Sequence, residues 1–532
     1  MIRRILFLAC GGGLLTAMLQ LGAGLSRAPA EAEPKGATPF GPTRIWTIHV
    51  NLSAKEYDGM QPAAPAFPGA PQPKNDDKQK RASDRNLFGT ELPWAEGDVI
   101  LNGKTFEKAA LRYGGDITYL VSARGAKRPL LIRFAKEEAP PGLGSVALQS
   151  MPLDAAKGRA VLASSIFQAA GVPTPRAAFA EVTLTVPGKF DKELLGLYAA
   201  VEGVDATFLT DRFGSDKGLL MKPFGMRGLD FLGDDWARYE KSYRPLRAAT
   251  KEESRRVIDF ARLINQASDD EFAKDIDSFL DVDAFLRFQA ANALTSNLHS
   301  FLALGHNYYL YLNPKTNKFV FIPDDLEFSC ANFLLMGTPE QLIDVSLLKP
   351  YPGENKLPDR LLARKEIKDR YEKLLRALTE KAFLKEKLLE TVTAIDKATA
   401  DLRAREAKAV AARREPPARF GAPGNRPAAP DLKTFIEKRS AAVADQLAGK
   451  SKGYLPERAA FAAPVRGPQR GNAQAIDEQT FRTSVQVPPG FEATLFAAPP
   501  QVSYPVALAA APTGEVYVAV DEQGSLGRTP GG

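Results

Sequence analysis

Cysteine and histidine are almost missing from this 532-residue sequence, which holds two cysteines, Cys10 and Cys330, and three histidines, His49, His299 and His306. Once the N-terminal leader described below is removed, Cys330 stands alone and no intrachain disulfide can form, so stability has to come from packed cores. No histidine belongs to an H-E-x-x-H pair and no cysteine cluster exists, which excludes zinc hydrolases and zinc ribbons. No G-x-S-x-G is present, so a nucleophile-elbow esterase is excluded. Cys330 has no histidine set to pair with it and reads as a small buried residue, not a nucleophile. Charge of one sign is scarce too. The formal net charge is +7, and loss of residues 1–30 removes Arg3, Arg4 and Arg27 but no acid, leaving +4. Without a concentrated basic run, a nucleic-acid partner is excluded.

What the chain does have is length and an ordinary globular composition. Hydrophobic residues make up 44% and charged residues 25%, enough for cores, and 532 residues are too many for a single one. Arg3 and Arg4, the apolar run from Ile5 to Leu25 and Ala28-Pro29-Ala30 form a secretion signal over residues 1–30. The product is expected outside the cytoplasm: extracellular, periplasmic or at the cell surface. Retained, the same segment would be a membrane anchor, and a membrane partner is expected only in that case.

Residues 44–60 read as a strand and then a helix with Ser53 as N-cap. Residues 61–81, rich in Pro, Ala and Lys, read as a flexible insertion. Asp98 to Phe106 is a hairpin about Asn102-Gly103. Gly103-Lys104-Thr105 brushes against a phosphate-loop pattern, but Asp98 stands where that pattern needs glycine. Two strands follow at 109–115 and 128–134, a helix at 155–170, and two strands over 176–202 joined at Pro187-Gly188. Helices then dominate over 251–267, 282–298, 359–412 and 431–448, with a flexible loop at 413–430. Strands first and helices after predict an α+β plan. Residues 450–482 read as a polar linker.

Residues 287–333 carry the chemistry: an amphipathic helix, a polar turn, a hairpin of aromatic strands and a cluster of acids. HNYYLY at His306–Tyr311 is flanked in order by LRYGG (111–115), AKRPLLIRF (126–134), YAAVEGVDATFL (198–209), GLLMKP (218–223), DVDAFLRFQAANAL (281–294) and ENKLPDRLLA (354–363). Together these blocks resemble the spore coat protein H (CotH) kinase family. The resemblance implies an atypical protein-kinase-like fold over residues 44–449, with a strand-rich N-lobe, a helical C-lobe and the nucleotide between them. It implies transfer of phosphate from ATP, with Mg²⁺, to Ser or Thr of an exported protein.

Under that resemblance Gly114, Gly115, Lys127 and Arg128 bind the nucleotide phosphates, and Glu202 and Lys222 line the cleft. Asp325, Glu327 and Asn307 hold the metal, and Asn297 and His299 take the catalytic positions. Three departures matter. His299 stands where the family has the Asp assigned as base, Glu327 replaces the second acid of W-D-L-D, and Asp324 replaces its Trp. A catalytically inactive module of the same fold, binding or scaffolding a surface partner, stays open beside the kinase. His306 is expected to hydrogen-bond backbone. The tail from Val485, with Gly514–Ala519, resembles the opening of propeller-type dehydrogenase domains of large secreted bacterial proteins. Residues 483–532 therefore read as an incomplete β-propeller start and the chain as a fragment. In a third reading the chain is an accessory region of such a dehydrogenase.

Overall fold

The computed structural model describes residues 40–62, 85–86, 88–224, 228–416 and 428–457, together with residues 481, 490 and 494 and the strands Pro505–Ala510 and Val516–Val520. The secretion signal, most of the insertion at 61–81, residues 417–427 of the loop and most of the linker lie outside the described residues.

Seven strands close into a barrel: β1 (Ile45–Asn51), β2 (Ala95–Leu101), β3 (Lys104–Tyr113), β4 (Leu130–Arg133), β5 (Ser145–Gln149), β6 (Ala177–Val186) and β7 (Phe190–Glu202). The order around it is β1-β2-β3-β4-β5-β7-β6. Each neighbouring pair is antiparallel except the seam, where β1 runs parallel to β6 from Ile45↔Phe179 to Asn51↔Thr185. The hairpins are written in the turns. Asn102 and Gly103 both take positive φ between β2 and β3, and Gly188 does so between β6 and β7. Alternation fills the barrel: Trp46, Ile48 and Val50 of β1, Leu111 of β3, Ile132 of β4 and Leu148 of β5 share one buried cluster.

β6 and β7 are buried on both faces and form the wall between two cores. Ala178, Ala180, Tyr198 and Ala200 join the barrel interior. Their neighbours Ala177, Phe179, Leu197 and Ala199 join the larger cluster that includes the helices Arg159–Ala169, Lys251–Gln266, Val282–Leu294 and Leu432–Leu447. That cluster also holds residues of a three-stranded antiparallel sheet, β8 (Leu219–Met221), β9 (Tyr308–Asn313) and β10 (Lys318–Pro323), with β9 central.

This architecture corrects the expected fold class. A closed seven-strand barrel with helices replaces the two-lobed kinase plan. The physical reason is the β1–β6 seam. Closure removes both sheet edges, and pairing between strands some 130 residues apart leaves no trace in local periodicity. The propeller expectation is corrected as well. Pro505–Ala510 and Val516–Val520 form an antiparallel pair, and no blade is present among the described residues. The linker reading also changes at its start. Tyr454 pairs in parallel with Val345, and its hydroxyl donates to the Met336 carbonyl at 3.0 Å, so the chain packs back after the last long helix.

Candidate active site

The helix Val282–Leu294 is buried along most of its length and delivers the chain to Thr295. Its last carbonyls have no partner within the helix. The buried Arg439 guanidinium supplies one, donating to Ala293 O (2.7 Å), Leu294 O (3.2 Å), Ile343 O (2.9 Å) and Val345 O (2.7 Å). A cation there also suits the negative end of the helix dipole. The hairpin then sets the register. Tyr308 faces Pro323, so Asn307 falls opposite Asp324, whose amide donates to the Asn307 carbonyl at 3.1 Å. The Cys330 amide donates to Thr295 O at 2.7 Å and ties the following turn to the helix end. Ser296, Asn307, Asp325, Cys330 and Ala331 all hold left-handed backbone. Asn and Asp tolerate it; Ser, Cys and Ala pay about 1–2 kcal/mol each, a concentration of strain characteristic of functional segments.

Asp325 caps a short 3₁₀ turn and leaves 27% of its side chain exposed. Burial, and then the neighbouring Asp324 carboxylate, push its carboxyl well above the usual range against the pull of Lys222; Asp116, next to Gly115, adds to the push. Lys222 is ion-paired to Asp324, and its ammonium lies 4.4 Å from the centre of the Tyr309 ring. His299 is buried against Phe333 and Phe328, with ring centres 4.9 and 4.4 Å away. Its Nδ1 lies 2.7 Å from Asn307 Nδ2 and 3.5 Å from Asp325 Oδ2. Burial, reinforced by His306 and Lys222, lowers its pKa to about 3, so the ring is neutral and accepts the Asn307 hydrogen bond. Glu327 is 1% exposed and sits behind Asp325, with the Leu153 amide 3.4 Å from its Oε1. Burial, then Asp325 and Asp154, raise its pKa. Asn297 is spent on structure, its Nδ2 donating to Asn292 Oδ1 at 2.9 Å.

The expected nucleotide residues divide. Gly115 needs its positive φ, and a Cβ there would lie 2.4 Å from Thr118 Oγ1. The Gly114 amide is already bonded to Pro129 O at 3.0 Å and does not point at a ligand. Lys127 is buried in an ion pair with Glu406 of the helix Lys385–Ala412, at 2.7 Å. Burial lowers its pKa to about 8 against the pull of Glu406, and Lys157 and Glu327 act on it too. Its ammonium also lies 5.2 Å from the centre of the Tyr198 ring, so Lys127 is held in the barrel wall. Arg128 turns away to Gly125 O (2.9 Å) and Gln61 Oε1 (2.8 Å). Glu202 is clamped by Arg176 (2.6 Å) and Arg212 (3.1 Å). The structure thus gathers Lys222, His299, Asn307, Asp325 and, behind them, Glu327, and leaves Arg128 and Glu202 in other networks.

Asp116, Asp154, Lys157 and Glu406 belong to this electrostatic neighbourhood and were not singled out from sequence. Asp154 alone had a local signal, as an acid just ahead of the helix Arg159–Ala169, where it accepts from the Gly158 and Arg159 amides at 2.9 Å each. A narrow cleft of about 20 Å³ runs between Gln149, Ser164 and Val201 on one side and Asp324 and Asp325 on the other. Ligand pockets are usually some ~300–1,000 Å³, so a nucleotide enters only if these walls part. A larger cavity, about 280 Å³, lies beside the short helix Phe301–Leu304 and is lined by Asp230, Asn265, Asn355 and Lys356.

Among the described residues no three acids, histidines or cysteines gather into a ready-made metal cage. Asp325 still fits a hard cation such as Mg²⁺, which takes one or two carboxylates and fills its shell with phosphate oxygens and water. The carboxylates of Asp324 and Asp116 both push on Asp325, with Lys222 as the opposing cation, so positive charge is what Asp325 calls for. Glu327 does not fit as a second ligand while it is sealed against Leu153.

Comparison with known proteins bears on the same residues. The inner spore coat protein H of Bacillus subtilis (strain 168) is 25% identical over 261 residues, which is 48% of this chain and 68% of the relative. The family profile described as CotH kinase protein matches residues 111–443, which take in the LRYGG loop, Lys127, the hairpin and the acid turn. That match spans more than half of the sequence, and the chain belongs to the CotH kinase protein family.

Proposed function

We propose that this chain transfers the γ-phosphoryl group of ATP to a serine or threonine hydroxyl of a protein outside the cytoplasm. The observation that carries the reading is the turn at Asp325, onto which Lys222, Asn307 and His299 converge, in a chain of this family. The secretion signal expected over residues 1–30 supports an exported acceptor. Asp325 would hold Mg²⁺, which when bound neutralises charge on the phosphates. The chain's own residues do the rest. The left-handed turn presents the Asp325 carboxylate to the cleft, and Lys222, braced on Asp324 and Tyr309, offers a cation to phosphate oxygens. Asn307 fixes the imidazole, and Phe328 and Phe333 shield it from water.

One observation favours a second reading, a nucleotide-binding module without turnover. A histidine held near pKa 3 is a weak general base at neutral pH, since the best base has a pKa near the working pH. The test is phosphate incorporation into an unstructured Ser/Thr-rich protein by the full chain with MgATP. Incorporation that is lost in Asp325→Asn and rises about 10²-fold in His299→Asp supports the kinase. Saturable MgATP binding with no incorporation in either His299 form establishes the binding module instead.

A further inference from the structure

The outer wall of the barrel carries a second set of charged groups, on the face that leads to the cleft. Ala110 pairs with Arg133 and Arg112 with Leu131 across β3 and β4, so Arg112 and Arg133 lie diagonally on one face, opposite to the buried Leu111 and Ile132. Trp94, just ahead of β2, is stacked by both guanidiniums, at 4.7 Å for Arg112 and 4.4 Å for Arg133. Arg133 is exposed, and Arg112 and Trp94 are half-buried. Arg133 also faces Ser145 of β5, and Ser145, Ala147 and Gln149 share the outer face of that strand, opposite to the buried Val146 and Leu148, so the two cations lie on the same wall as Gln149, which lines the cleft with Asp324 and Asp325. Stacking on an indole fixes long side chains that are otherwise costly to order, and a planar guanidinium binds carboxylates in a fork.

The geometry points to an acceptor subsite: Trp94, Arg112 and Arg133 receive an acidic side chain flanking the serine or threonine that is presented to the Asp325 turn. This deepens the phosphotransferase reading and rests on it for the word acceptor. The binding itself does not depend on turnover. The two arginines lie on the barrel face that carries Gln149 of the cleft wall, and Arg133 is open to solvent. Those two facts favour a protein side chain over the phosphates of the nucleotide, which belong beside Asp325.

The test uses the full chain and three fluorescein-labelled Ser/Thr peptides with flanking Asp, Gln or Lys. Anisotropy is read without nucleotide, and KM and kcat with MgATP where phosphate is transferred. The Asp peptide should bind about tenfold or more tightly than the Gln peptide, in line with charge-assisted hydrogen bonds, and the Lys peptide most weakly. Arg133→Gln should abolish the preference by raising KM for the Asp peptide while kcat and nucleotide affinity hold, and Arg133→Lys should restore part of it. An unchanged melting temperature of Arg133→Gln separates this loss from misfolding. Equal binding of the three peptides by the wild type would overturn the proposal. So would a fall in MgATP affinity in Arg133→Gln, because that result gives the guanidiniums to the nucleotide. Selective binding of the Asp peptide by a chain that transfers no phosphate would uphold this subsite and sink only the phosphotransferase reading.

Discussion

Inside the barrel the buried residues are apolar almost without exception: Trp46, Ile48, Val99, Leu111, Ile132 and Leu148 alternate with outward neighbours. Between residues 295 and 331 the buried positions include Thr295, Ser296, Asn297, His299, Ser300, Asn307, Glu327 and Ser329. Among the described residues the side-chain oxygens of Ser296, Ser329 and Asn297 find no hydrogen-bond partner there. The barrel is held by area, which many apolar side chains can supply. The segment around the acid turn is held by particular donors, whose removal leaves buried acceptors short of a partner. The difference teaches where the chain departs from simple packing: at the turn proposed to bear its chemistry.

The sharpest way to break this comparison is a pair of near-isosteric changes. Arg439→Met should cost about 3–5 kcal/mol, because the buried Leu294 and Ile343 carbonyls lose their donor and those of Ala293 and Val345 lose one of two. Ile132→Val in the barrel should cost about 0.5–1.5 kcal/mol. Urea denaturation of both variants checks this, and equal costs would mean that the segment is held by area as the barrel is.

A smaller effect is expected where the two regions meet. Gly196 in β7 has φ +125°, and a Cβ would lie 2.5 Å from the Glu406 carboxyl carbon. Gly196→Ala should therefore displace Glu406 from both Lys127 (2.7 Å) and the Leu197 amide (2.8 Å) at a cost of about 1–3 kcal/mol. A melt that coincides with wild type would show that the Lys127–Glu406 pair does not couple the barrel to the long helix.

The smallest effect is in pH dependence. Glu327 has its pKa raised by burial, so the folded state holds this proton more tightly than the unfolded chain does. The stability it contributes is complete below the ordinary value of 4.5 and is lost as pH rises through the raised one. In buffers containing a chelator, the urea midpoint of the wild type should fall across that window, and Glu327→Gln should flatten the slope. Parallel profiles for the two proteins would show that the side chain ionises as freely as in the unfolded chain.

Individual elements were legible because their signals are local, although the fold class was not. Asn102-Gly103 and Pro187-Gly188 specify hairpins, Ser53 specifies a helix start as N-cap, and HNYYLY with its acid turn marks the candidate site. The rest depends on distant pairing. Nothing near Ile45 announces a parallel partner at Phe179, and β5 is too short to stand out from its surroundings. The phosphate role expected of Lys127 came from the family pattern, whereas its partner Glu406 lies 279 residues away. Glu202 likewise looked like a cleft residue until Arg176 and Arg212 were found on it. Local chemistry identified which residues could act; long-range pairing decided which of them were free to.

The central claim is that the Asp325 turn is a metal-dependent nucleotide site. The measurement that tests it most directly is the thermal stability of the full chain with ATP, titrated with Mg²⁺, beside Asp325→Asn. At about 100 times its Kd, bound MgATP should add roughly 2.7 kcal/mol to the wild type. The gain should require Mg²⁺ and should vanish in the variant. A wild-type melt unmoved by saturating MgATP, or an equal shift in Asp325→Asn, would contradict the account.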